Sequence, residues 1–80
     1  KCLQLAFDAI RKGGNMSCIV NAANEIVNAG FRKGECGFLQ MADIIEETMA
    51  KATFDSNPDL DVYLQTDAEA RRIATELMGK

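Results

Sequence analysis

Histidine and tryptophan are absent from the 80 residues, and proline occurs once, at Pro58. Without histidine the chain lacks the side chain that most often moves protons near neutral pH and most often partners a catalytic cysteine or a zinc ion. Cysteine is sparse as well. Cys2, Cys18 and Cys36 are widely spaced, odd in number and without a CxxC pair, so neither a zinc pattern nor a disulfide framework is present. We expect reduced thiols that serve packing, as in a cytosolic protein. The aromatics are only Phe7, Phe31, Phe38, Phe54 and Tyr63, which leaves aliphatics, Ala and Met to build the core and favours packed helices over a sheet. No apolar run approaches the roughly 18 residues that read as a bilayer span, and no leader-like segment opens the chain. A net charge of −3 with scattered Lys and Arg excludes the basic footprint of a nucleic-acid or anionic-membrane binder. The expectation is a soluble, cytoplasmic chain with no nucleic-acid and no membrane partner.

What is present is helical periodicity. From Met16 to Phe31, the residues Ile19, Val20, Ala23, Ile26, Val27, Gly30 and Phe31 recur at helical spacing and predict the central helix. Its other face carries Asn21, Asn24, Glu25 and Asn28, also three and four apart. Asparagine competes with the backbone for hydrogen bonds and is a mediocre helix former. A row of amides that both donate and accept fits a surface that docks on protein or lines a site; an ordinary wet face is the alternative. One carboxylate among three amides makes a poor metal-ligand set.

Before this helix, Leu3, Ala6, Phe7 and Ile10 mark an apolar face that Cys2, Leu5 and Ala9 widen, so the first helix is expected to be buried on a broad side. Gly13-Gly14 stops it, with Arg11 and Lys12 in its last turn complementing the helix dipole. Asn15 or Ser17 can cap the central helix. After Gly34, a glycine-flanked connector brings Phe38 and Leu39 to plug the end of the core. A third helix follows with Met41, Ile44, Ile45, Thr48, Met49 and Ala52 inward and Asp43, Glu46 and Glu47 on a solvated face. Thr53 to Asp59 forms the loop, with Asn57 as a cap and Pro58 at a first helical position. Leu60 to Leu64 forms a short helical turn. Thr66 and Glu69 have capping-box spacing and predict the start of a new helix buried through Ala70, Ile73, Ala74, Leu77 and Met78. Asp67 and Arg71, four apart, suit an intrahelical ion pair.

Eighty residues support one domain at most, and at this size folding hides only about 60% of the surface of the unfolded chain. Amphipathic helices cannot bury their stripes singly, so the fold class is all-α, a small four-helix bundle with short connections. No nucleotide fingerprint, nucleophile elbow or metal-ligand spacing appears, so no catalytic, cofactor-binding or metal residue is assigned.

Residue order carries the reading further. Cys2-Leu3-Gln4-Leu5-Ala6 with the Gly-Gly stop, Asn21-Ala22-Ala23-Asn24-Glu25, Gly37-Phe38-Leu39 and Asp67-Ala68-Glu69-Ala70-Arg71 with Ala74 together resemble the C-terminal domain of the 1-deoxy-D-xylulose 5-phosphate reductoisomerase family, nearly end to end. The resemblance implies a parent enzyme that uses NADPH and a divalent metal (Mg, Mn or Co), forms a homodimer and acts in the non-mevalonate isoprenoid pathway. It implies that residues 1–80 are the C-terminal helical-bundle domain, without cofactor or catalytic group of its own, packed on the catalytic domain of the same chain. A start at Lys1-Cys2-Leu3 without an initiator Met agrees with a fragment. Asn21, Asn24, Glu25 and Asn28 are the expected docking residues. The rival readings are a free-standing helical interaction module and a redox protein that uses Cys18 or Cys36.

Overall fold

The periodic stretches become four helices in the computed structural model, which describes residues 2–79, the side chain of Cys2 excepted. In chain order they are α1 (Cys2–Lys12), α2 (Met16–Arg32), α3 (Phe38–Lys51) and α4 (Leu60–Met78). The described residues contain no strand, so the all-α bundle expected from composition is the architecture found. Helix α2 packs against all three others, whereas α1 meets only α2 and α3.

The core follows the α2 stripe. Ile19, Ala23 and Val27, four apart, are completely buried. Leu5 and Ala9 of α1, Ile44 and Ile45 of α3, and Ala70, Ile73 and Ala74 of α4 close around them. Alanines at the α4 contact let that helix lie close to α2, because interaxial distance follows side-chain size. Val20, Met49 and Leu77 pack on both halves of this core and join them.

The glycines end helices as expected. Gly13 has φ 74° and its N–H donates to the Ala9 carbonyl at 3.0 Å. Gly14, at φ 57°, is needed for a second reason: a Cβ there would overlap the Asp55 carbonyl oxygen and lie 2.9 Å from Ser56 Cα. Asn15 does occupy the N-cap position of α2, but its side chain makes no capping bond. It is fully buried and reaches across the molecule. Nδ2 donates to the Thr53 carbonyl (2.9 Å) and to Thr66 Oγ1 (2.8 Å), while Oδ1 accepts from the Asp55 N–H (2.8 Å). The Asn15 N–H adds a bond to the Asp55 carbonyl at 3.0 Å. One amide thus fastens the loop after α3 and the middle of α4 to the start of α2.

Four expectations need correction. In α1 it is Leu5 and Ala9 that are buried, while Leu3, Phe7 and Ile10 are 70%, 50% and 69% exposed; a helix with two neighbours covers only one edge of a broad apolar side. Phe38 and Leu39 do not plug the core. Cys36 takes the buried position in the connector, and Phe38 sits on the surface beside Phe31, with ring centroids 6.2 Å apart. Asn57 and Pro58 precede the last helix without capping it; Asp59 is its N-cap, with its carboxylate accepting from the Val62 N–H at 2.9 Å. No helix begins at Thr66, because α4 runs unbroken from Leu60. Thr66 faces Asn15, and Glu69 instead accepts from the Thr53 N–H at 2.6 Å.

Candidate functional site

At about 100° per residue, Asn21, Asn24, Glu25 and Asn28 share one face of α2, opposite the buried Ile19, Ala23 and Val27. Asn21, Asn24 and Glu25 are exposed and Asn28 is half-buried. The four differ in what holds them. Asn28 Nδ2 donates to the Asn24 carbonyl at 2.7 Å and to Asn24 Oδ1 at 3.0 Å, so these two amides are set against each other one helical turn apart. Asn21 lies in the groove between α1 and α2, a concavity of about 410 Å³ that Ala6, Ile10, Cys18 and Val20 also line. A second concavity of about 370 Å³ continues it past Leu3 of α1 and Asn24 of α2 to Ile45 of α3, and shares Ala6, Val20 and Asn21 with the first.

Glu25 stands on the other flank, toward α4. Its Oε2 accepts from Arg71 Nη2, and Arg71 Nε donates to Asp67 Oδ2 at 2.8 Å. The ion pair between Asp67 and Arg71 is therefore present as the spacing predicts, and a second carboxylate joins it from α2. The hydrogen bond to Asp67, then that to Glu25, pushes the guanidinium above its ordinary range, against a smaller opposing effect of burial. Arg71 stays charged and clamps α2 to α4. No sequence pattern marks the pairing with Glu25, because the two residues lie 46 apart and meet only through helix packing.

The stripe thus has two parts. Glu25 is committed to Arg71, while Asn21 and Asn24 line an open groove whose opposite wall is the apolar edge of α1. Such a surface can dock a folded partner through amide hydrogen bonds at an apolar seam. Among the described residues, no group of three or more His, Cys, Asp or Glu could hold a metal ion. Glu47 pairs with Lys51 at 3.8 Å. Neither described thiol is activated: burial pushes the Cys36 thiol up, and burial followed by the Asp67 charge pushes Cys18 up, with Arg71 opposing. A reactive cysteine requires the opposite shift.

Comparison with known proteins places this geometry. The model of the DXP reductoisomerase C-terminal domain matches residues 1–73. The 1-deoxy-D-xylulose 5-phosphate reductoisomerase of Bacteroides fragilis is 55% identical over 78 residues, which are 98% of this chain and 20% of that protein. The enzyme of the same name from Bacteroides thetaiotaomicron is 57% identical over 76 residues, 95% of this chain and 20% of its own. Among solved structures, 1-deoxy-D-xylulose 5-phosphate reductoisomerase from Zymomonas mobilis in complex with NADPH is similar at a TM-score of 0.88 and 39% identity, over 98% of this chain and 21% of that one. The chain spans about a fifth of the length of these relatives. With the matched residues running from the first turn of α1 into the last turns of α4, this chain belongs to the family of DXP reductoisomerase C-terminal domains.

Proposed function

We propose that the chain is the non-catalytic, bracing domain of an NADPH-dependent reductoisomerase that converts 1-deoxy-D-xylulose 5-phosphate into 2-C-methyl-D-erythritol 4-phosphate for isoprenoid synthesis. The observation that carries this reading is the family match over residues 1–73 in a chain one fifth as long as its relatives. The solved relative from Zymomonas mobilis is a complex with NADPH, which supports the same cofactor for the parent enzyme here. In this reading the divalent metal, whether Mg, Mn or Co, is held by parts of the parent enzyme outside residues 1–80. In this reading the parent acts as a homodimer in the cytoplasm.

The brace works through position. Asn21 and Asn24 hold the catalytic domain of the same chain by amide hydrogen bonds, and the Arg71 clamp keeps α2 in register with α4 beneath them. Support of this kind acts on a reacting centre by fixing the groups around it. Replacing Asn21 and Asn24 together by Ala in the whole enzyme is expected to lower the melting temperature by several degrees or kcat several-fold, with KM for NADPH unchanged. Unaltered kinetics together with unaltered melting would overturn the proposal.

A further inference from the structure

The last turn of α4 is seated on α2 through one methionine. A Cβ on Gly30 would overlap Met78 Sδ and lie 3.1 Å from its Cε, so the thioether fills the notch left where the buried Gly30 has no side chain. Cys36 Cβ borders the same notch, 3.5 Å from that point. An unbranched, polarisable thioether suits such a gap. The other side of Met78 is open: with Glu35, Thr75 and Gly79 it lines a concavity of about 400 Å³. Met78 is therefore half-buried and reached from solvent with its helix intact, whereas Met16 is sealed at 4% exposure. The Cys36 thiol beside it competes poorly for an oxidant, because the thiolate is the reactive form and burial holds the proton on.

We propose that Met78 is a redox-sensitive latch: a peroxide converts it to the sulfoxide, and the last turn of α4 then leaves α2. In this step a sulfur lone pair attacks one oxygen of hydrogen peroxide, and the S–O bond forms as the O–O bond breaks. Sulfur loses two electrons, and the departing hydroxide takes the proton from the transferred oxygen to leave as water. The product is polar and seeks hydrogen bonds, while the notch offers it the Gly30 backbone face and Cys36 Cβ. Burial without partners is costly for such a group, so the side chain moves out to the concavity. Release stops at the last turn, because Leu77 packs on both halves of the core. The bonds at risk run from the Gly79 N–H to the Thr75 and Glu76 carbonyls, at 3.3 and 3.2 Å. Met78 lies beyond residues 1–73 matched by the family model, so family membership assigns it no role. The latch is independent of the bracing role.

The test treats the whole enzyme with hydrogen peroxide, removes the excess with catalase, and follows peptide masses and amide hydrogen exchange. Met78→Leu, a volume-conserving change that cores tolerate, is treated in parallel. Met78 is expected to gain one oxygen before Met41 and Met49, which pack on the core from α3. Amides at the end of α4 should then exchange roughly tenfold faster, with those of α1 unchanged. Methionine sulfoxide reductases of both epimer specificities, supplied with dithiothreitol, should restore the original rate. Met78→Leu should show no acceleration. Oxidation of Met41 or Met49 ahead of Met78 would overturn the proposal, and so would a Met78 sulfoxide that leaves exchange unaltered. Equal acceleration in Met78→Leu would assign the effect to another sulfur and overturn it as well.

Discussion

Asn15 shows how much of this fold rests on one side chain. Its amide is completely buried and uses both donors and its acceptor on groups 38 to 51 residues away. Asn15→Ala would leave the Asp55 N–H without its acceptor and Thr53 and Thr66 without their donor. Each unsatisfied buried group costs about 1–3 kcal/mol, so a loss of roughly 3 kcal/mol is expected; a denaturation midpoint that does not move would contradict the assigned role. The neighbouring glycines make a matched pair. Both have positive φ, but a Cβ at Gly13 meets nothing within 4 Å while one at Gly14 runs into backbone at Asp55 and Ser56. Gly13→Ala is expected to cost about 1 kcal/mol, the strain of a left-handed residue, and Gly14→Ala clearly more; equal losses would show that the loop moves aside. Cys36 adds a pH dependence. Burial raises its thiol above the ordinary value of 9.0, so the unfolded thiol ionises first. That stability is fully present below about pH 9 and is lost as pH rises through the folded value. Cys36→Ala should flatten part of this alkaline decline in urea melts, and an unchanged slope would count against it.

Among the elements, α2 is the most legible in sequence, because its apolar residues follow one period and its three neighbours bury Ile19, Ala23, Val27 and Gly30, leaving Phe31 at its end on the surface. Helix α1 carries an equally clear apolar stripe, yet periodicity does not say how many neighbours a helix has. Leu3, Phe7 and Ile10 look like core and are surface for that reason. The error at Thr66 has a different origin. A Thr with Glu three residues on is a start signal only where the preceding residues are not already helical, and Asp59 caps the helix seven residues earlier. Both side chains are used by partners distant in sequence, Asn15 and Thr53. Asp59→Ala is therefore expected to destabilise α4 by about 1 kcal/mol, with the loss read as faster amide exchange over its first turn. The Arg71 clamp joins elements less firmly. Its side chain is 40% exposed and that of Glu25 58%, so screening keeps the pair within about 1 kcal/mol.

For the whole molecule, composition and periodicity were enough for an all-α bundle, and residue order was enough for the family. The polar stripe was also legible as a stripe. Its division was not: Glu25 reaches across to Arg71 on α4 while Asn21 and Asn24 face the groove, a difference set by the register of α2 on α4. The exposure of Leu3, Phe7 and Ile10 beside it was hidden because the sequence assigns those residues to the core. The central claim is that this domain supports a site built elsewhere. Amide NMR spectra of the 80-residue chain, alone and then with NADPH, magnesium and the sugar phosphate, test it most directly. The account predicts a dispersed spectrum that none of the three additions moves. Specific shifts at Asn21, Asn24 or Glu25 would contradict it, since the bundle would then be part of the site itself.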